Sequence, residues 1–516
     1  MTSRPRLRLY GDRALLLEVG DTDEAVALRV AIQRRGGHGV DDLVVGARTV
    51  LVHLAAGVDP ATAGAALLRL AEAVAGGSGA AGARVTEIRV SYDGPDLDAV
   101  AASTGLSREE VVAAHVARPW RVGFGGFAPG FAYLVDGDPR LTVPRRDDPR
   151  TAVPAGSVAL AAGFSAVYPS ASPGGWQLIG RTAARVWDVD RDPPALFAPG
   201  DVVHFVDAGP DLEPEPDPTA TPAPVEGRTP RGAALEVVRC GPLTLVEDLG
   251  RVGLGDAGVG RSGAADVTAY ALGSRLVGQA PGPAALEVLL GGLSVRARGD
   301  VVLALTGARA DGRVGGAPVP HAAPFVLADG RTLELARPAR GLRTYLSVRG
   351  GVDVPAVLGS RSRDVLAGIG PPVVDDGDLL PVGPAPSTFP DVEVAPTTEL
   401  AEEPTLQVLP GPRSDWFADL GAIERQPWTV SDRSNRVGIR LQGGRVERTA
   451  AHAGRELPTE GLVTGAIQVP PSGEPVLFLA DHPVTGGYPV VAVVCAADLG
   501  LAAQLRPGQR LHLRWA

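Results

Sequence analysis

The chain has no lysine: all 49 basic residues in its 516 positions are arginine. Without that amine there is no Walker A phosphate loop, no Schiff base, no Ser-Ser-Lys amidase triad and no covalent biotin on this chain. Any phosphate held here must be held by arginine, backbone N–H groups or a metal. Cysteine is nearly absent too, with Cys240 and Cys495 alone, which excludes a disulfide framework and a cysteine-based zinc site. No apolar run reaches the 18 residues of a membrane span, and Asp12 and Arg13 interrupt the start before a signal-peptide core forms. A cytoplasmic location is the expectation. A net charge of -10 without a sustained arginine run argues against a nucleic-acid surface, which leaves small molecules or other proteins as partners.

A chain this long exceeds one ordinary core. Residues 1–90 alternate extended and helical patterns in a β-α-β-α-β order, so a small α/β domain is expected there. Ser107 with Glu110 has capping-box spacing and starts a helix. Over 91–206 short apolar runs are separated by Pro and Gly, as in a β-barrel or sandwich. Residues 207–232 are proline-rich and acidic, a linker by composition. Residues 233–382 and 405–516 are again β-rich lobes, joined by the proline-rich 383–404. The whole is expected to be mainly β with an α/β N-terminal part.

Two distant stretches echo one another. Val153–Thr182 and Val469–Val494 each open on Val-Pro, pass through an apolar run and close on a diglycine with an aromatic residue. These closing residues are Gly174, Gly175 and Trp176 in the first and Gly486, Gly487 and Tyr488 in the second. A paired glycine lets backbone N–H groups approach a ligand, while Ser172 and Thr485 add hydroxyls beside it. The same glycines also punctuate ordinary turns. Arg145, beside Arg146 and Arg150, offers a guanidinium to an anion or to surface ion pairs. Arg261 and Ser262 precede a helix that begins near Ala264, where an anion or a cap could sit. Ser431, Asp432, Arg433 and Arg436 set a carboxylate beside two guanidiniums, and Glu460 and Asp481 add acids near glycines. Such carboxylates suit a general base or an oxygen-ligated Mg²⁺. His482 is a candidate base, but a lone histidine before proline is more often structural.

Several motifs together are family-specific. Gly130-Phe131-Ala132-Tyr133-Leu134, Pro144-Arg145-Arg146, Ser172-Pro173-Gly174-Gly175-Trp176 and Ile179-Gly180-Arg181-Thr182 resemble the smaller subunit of bacterial ATP-dependent 5-oxoprolinase. Arg261-Ser262-Gly263-Ala264, Ser431-Asp432-Arg433, Glu460-Gly461, Gly465-Ala466-Ile467-Gln468-Val469-Pro470 and Thr485-Gly486-Gly487-Tyr488-Pro489 resemble the larger subunit. The chain is thus similar to a natural fusion of both, within the 5-oxoprolinase and urea amidolyase family. The resemblance implies cyclophilin-like β-barrel domains in tandem and an active cleft between the halves. It implies ATP with Mg²⁺, the metal ligands unknown, a small lactam substrate, and a separate third subunit of the LamB/YcsF type. It also leaves a homo-oligomer open. Implied catalytic residues are Asp481, Arg433, Asp432 and Glu460. Implied binding residues are Arg145, Ser172, Gly174, Gly175, Arg181, Arg261, Ser262, Ser431, Gln468, Thr485, Gly486, Gly487 and Tyr488. Where the larger subunit has arginine after Asp481, this chain has His482. Two other readings stay open: a biotin-dependent carboxyltransferase acting on urea or a related amide, and a binding module that inhibits a histidine kinase.

Overall fold

A computed structural model describes residues 4–36, 39–75, 83–210, 232–389, 392–397 and 399–516. The acidic linker therefore lies, from 211 to 231, outside the described residues. The first unit is a four-stranded antiparallel sheet in the order Arg6–Leu9, Ala14–Glu18, Thr49–Leu54, Val40–Val45. Two helices, Thr22–Arg35 and Pro60–Val74, are capped by Asp21 and Asp59, and bury Leu28, Ile32, Leu67 and Leu70 in one core with Leu15, Leu17, Val50 and Val52 of the sheet. The alternation of strand residues places Leu16, Val44 and Leu51 in a different core. The structure differs from the expected β-α-β-α-β order at two places. The opening extended run is a hairpin of two strands, and Val85–Val90 leaves this sheet to join the next one. Gly11, at φ 70°, lies in the turn between the two hairpin strands.

Two β-barrels follow the same plan. In the first, seven strands run in the order Gln177–Arg181, Ser157–Ala161, Phe164–Val167, Ala128–Val135, Trp120–Gly126, Val202–Asp207, Val85–Val90. Its ends are joined by a bridge between Ser91 and Arg181. In the second, the closed order is Thr405–Pro410, Val490–Val494, Ala466–Gln468, Val476–Phe478, Gly438–Gln442, Trp428–Val430, Arg510–Trp515. Strand for strand the connectivity is identical. The first strand of each pairs parallel with the last, and each carries a separate two-stranded ribbon. Even the tryptophan that opens the second strand of each barrel matches: the indole N–H of Trp120 donates to the His115 carbonyl, and that of Trp428 to the Ile423 carbonyl, each five residues back. The expected mainly β architecture with tandem barrels is what the chain adopts.

The echo is accordingly real at its closing end and shifted at its opening. Gly156 and Gly465 are the equivalent glycines, both at positive φ, and their N–H groups donate to Tyr168 and Phe478 carbonyls. Val469-Pro470 instead follows its strand and forms the turn before Val476–Phe478. Its similarity to Val153-Pro154 is that of turn chemistry.

Between the barrels in sequence stands a β-sandwich. Six strands, including Ala234–Arg239 and Ser294–Arg298, face five, including Leu243–Glu247 and Arg343–Val348. Leu235, Val295, Leu286, Leu303 and Leu346 are among the fully buried residues between them. The proline-rich segment after it is strapped by Arg349, which donates to the Pro386 and Thr388 carbonyls and lies 4.4 Å from the Phe389 ring centroid. The free face of the N-terminal sheet packs on the second barrel through Leu16, Val44, Leu51, Leu462 and Val493. Among the described residues no helix is long and apolar enough to cross a membrane.

Candidate functional site

The two barrels meet at a cleft of about 770 Å³. The first contributes Phe127, Tyr133 and Arg145, and the second contributes Thr485, Gly486, Gly487 and Tyr488 with a rim of arginines, Arg445, Arg448 and Arg455. None of the four guanidiniums has an ion-pair partner among the described residues. Arg448 donates to the Arg455 and Val469 carbonyls while its Nε, buried, has no partner. Glu447 and Glu456 also line the cleft, so the arginines outnumber the acids. Phe127 joins the halves: its backbone N–H donates to the Thr485 hydroxyl at 3.1 Å. A Cβ at the preceding Gly126 would strike that same hydroxyl, so the close approach requires glycine there. Burial pushes the Tyr133 phenol up to about 12, against the opposing pull of Arg145 and Thr459.

Each diglycine strand is backed by a buried ion pair, with polarity reversed between the barrels. In the first, Arg150 lies opposite Gly174 on the ribbon and makes two 2.8 Å hydrogen bonds to Asp96, which also accepts from Arg146. In the second, Glu460 lies opposite Gly486 and receives both Nε, at 3.1 Å, and Nη2 of Arg413. Burial pushes the Glu460 carboxyl up even beside Arg413. Glu460 is thus committed to its partner and holds the strand that lines the cleft. Behind the same strand, Gln468 is buried and donates to the Tyr488 carbonyl at 2.8 Å.

The other residues expected at the site lie elsewhere. Gly174 packs against the Tyr168 ring, and the Gly175 carbonyl accepts from the Arg146 N–H. The two diglycines therefore do not face each other across one cleft. Ser172 has a buried hydroxyl without a hydrogen-bond partner, and Arg181 pairs with Asp93 at 2.8 Å. Ser431 is buried, but Asp432 and Arg433 are exposed on the turn after Trp428–Val430, outside the cleft. Asp481 is 1% exposed and saturated. One oxygen accepts from the Ser262 hydroxyl at 2.7 Å and from Arg436, the other from Arg436 at 2.9 Å and the Val365 N–H at 3.1 Å. No lone pair is left to take a proton from a substrate. Arg261 is half exposed and Ser262, at φ 55°, is buried, both lining a second cavity. The helix beyond begins at Val267 and is capped by Asp266, not Ser262. Sequence reasoning missed Arg445, Arg448 and Arg455, although three arginines within eleven residues of a lysine-free chain are a visible signal.

Comparison with known proteins agrees with this division. The family profile described as "Carboxyltransferase domain, subdomain C and D" matches residues 5–197, and that for "subdomain A and B" matches 257–515. Over 283 residues the chain is 39% identical to a 5-oxoprolinase subunit of Escherichia coli K12, covering 54% of this chain and 90% of that one. Over 126 residues it is 50% identical to a different 5-oxoprolinase subunit, from Escherichia coli O157:H7, covering 24% and 58%. A crystal structure of the protein TTHA0988 superposes with a TM-score of 0.86 at 36% identity, over 97% of this chain and 99% of that one. The chain belongs to the carboxyltransferase-domain family of 5-oxoprolinase subunits and urea amidolyase, with halves similar to two different 5-oxoprolinase subunits fused in one polypeptide.

Proposed function

We propose that this chain is the fused two-subunit component of an ATP-dependent 5-oxoprolinase, completed by a separate third subunit, and that the interbarrel cleft holds its anionic reactants. The observation that carries this reading is the convergence of four unpaired arginines and a diglycine strand in a cleft built from both halves. A lactam carbonyl is a poor electrophile. Attack of its oxygen on the γ-phosphorus expels ADP and turns that oxygen into a leaving group. Water then adds to the activated carbon, the ring C–N bond breaks with a proton passing to nitrogen, and a second water releases phosphate from the acyl phosphate to leave glutamate. Arginines and backbone N–H groups suit such a transfer because positioning and charge stabilisation do most of the work. Fusion of the halves fixes the one-to-one ratio that a shared cleft needs.

Magnesium does not fit a protein cage here. Among the described residues the one group of three clustered metal-ligating side chains, Cys240, Asp375 and Asp376, belongs to the sandwich, away from the cleft. Mg²⁺ would come with the nucleotide, bound to its phosphates.

The deciding experiment mixes the full chain with a candidate third subunit, 5-oxoproline and Mg-ATP, and follows glutamate and ADP. Turnover that needs both proteins and yields the two products in equal amounts is expected. Biotin-dependent carboxylation of an amide without ADP formation would establish the carboxyltransferase instead.

A further inference from the structure

We propose that a second cavity, of about 350 Å³, binds a small organic carboxylate at the junction of the N-terminal sheet, the sandwich and the second barrel. Each module contributes: Arg13 comes from the hairpin, Arg251 and Arg261 from the sandwich, and His482 from the barrel.

Arg251 supplies the strongest sign of a missing partner. It is 2% exposed, with Nε donating to the Val357 carbonyl and Nη2 to that of Ser362, while its buried Nη1 has no hydrogen-bond partner. An orphaned buried donor is costly, and a bound oxygen would satisfy it. The Arg13 guanidinium has no partner among the described residues. Arg261 reaches Asp41 only at 3.7 Å.

Three acids, Asp12, Asp41 and Asp42, line the cavity beside the three arginines, so the site is marked by the unpartnered donors of Arg13 and Arg251 rather than by an excess of charge. Asp12 accepts from the Ala496 N–H, and Asp42 accepts from the N–H groups of Leu43 and Gly255. Burial pushes Asp42 up to about 6, so it is mostly ionised at pH 7 and becomes neutral only below that value. Burial also lowers His482 and takes His53 down to about 4, leaving both rings neutral hydrogen-bonding groups at pH 7. Val463, Val484 and Leu499 give the wall an apolar part, beside the hydroxyls of Thr268 and Thr464. Cationic donors at one side and hydrocarbon at the other suit a small acid with a compact apolar or ring body. The volume sits at the lower end of the range for ligand pockets, about 300–1,000 Å³.

One stretch of chain lines both cavities. His482 and Val484 border the junction, and Thr485 to Tyr488 border the interbarrel cleft. An acid bound at the junction thus lies against the segment that shapes the cleft.

The test is titration calorimetry of the full chain with 5-oxoproline, L-glutamate and acetate, carried out in the Arg448→Gln variant, which impairs the interbarrel cleft, and repeated after adding Arg13→Gln or Arg261→Gln, with ATP titrated separately on the unaltered chain. The expected result is that 5-oxoproline or glutamate binds more tightly than acetate. Adding Arg13→Gln or Arg261→Gln weakens the binding that remains in Arg448→Gln about tenfold or more. Absence of binding by all three acids in Arg448→Gln, or an affinity that the junction substitutions leave at its Arg448→Gln value, would overturn the proposal. Failure of ATP to bind while the acid still does would remove the nucleotide reading of the cleft and leave the junction site standing.

Discussion

Arg413 shows how a single charge can be mistaken for chemistry, because its partner Glu460 has the sequence context of a catalytic acid. The pair is buried, and Arg413 also holds Glu18, so removing the cation strands Glu460 and leaves Glu18 with Arg8 alone, 3.1 Å away. Breaking such a pair from one side costs about 3–5 kcal/mol. Arg413→Met is therefore expected to lose that much stability in chemical denaturation, while Glu460→Gln, which keeps the shape, loses less and retains turnover. A stable but inactive Glu460→Gln would restore Glu460 as the base. His115 gives a different signal. It is fully buried, with its ring nitrogens 2.7 Å from the Tyr92 hydroxyl and 2.9 Å from that of Ser165, and burial lowers it to about 3. The unfolded chain takes up a proton near pH 6.5 that the folded chain refuses, so this contribution is intact above 6.5 and lost as pH falls toward 3. Replacing His115 by Phe should flatten the stability–pH curve by up to about 1.4 kcal/mol per pH unit in that window, whatever its cost at neutral pH. An unchanged slope would mean that the ring is protonated in the folded state.

At the level of elements, what was legible in sequence was local. Ser107 and Glu110 form the reciprocal capping box that their spacing announced, on the helix Arg108–Val116. Ser107→Ala is expected to cost about 1 kcal/mol without touching the cleft, a loss visible in denaturation and absent from nucleotide binding. The diglycine echo was legible too, because strand-turn chemistry repeats when two barrels share a topology. The strand Val85–Val90 was legible as a strand but its sheet was not, since its parallel partner Val202–Asp207 lies more than a hundred residues away and no local pattern encodes that pairing. Of the cleft's arginines Arg145 was legible and Arg445, Arg448 and Arg455 were missed, because they share a cleft with Arg145 only once two barrels pack together. Thr485 fixes that packing from its short ribbon. Gly126→Ala should overpack it at a cost of about 1–3 kcal/mol and weaken ATP binding at the cleft, leaving the far-ultraviolet dichroism of both barrels intact. Wild-type affinity in that variant would show that the barrels can shift apart without consequence.

The whole molecule is pinned by one guanidinium. Arg436 of the second barrel is buried against Asp481 of its own barrel and against Glu247 and Glu287 of the sandwich. Burial disfavours its charge, yet the three carboxylates hold it firmly protonated. The carboxylates divide the consequences. Burial drives Glu247 well up, toward the neutral acid, whereas Arg436 and Arg343 overcome burial to bring Glu287 down to about 2. Asp481 adds the Ser262 hydroxyl and so ties in the segment leading to the sandwich helix Val267–Leu276. A catalytic Asp481 and an interlocking Asp481 predict opposite things. If it locks the interface, Asp481→Asn keeps most of the network and melts close to wild type. Arg436→Met then leaves Glu287 and Asp481 buried without their shared cation, and costs about 3–5 kcal/mol. Because that loss falls on the contact between sandwich and barrel, calorimetry should show the single transition split in two, with proteolysis appearing in the connecting segment 383–404 before either unit melts. Arg436→Met that melts as one unit at the wild-type temperature, with Asp481→Asn stable and inactive, would return Asp481 to the chemistry and remove it from the lock.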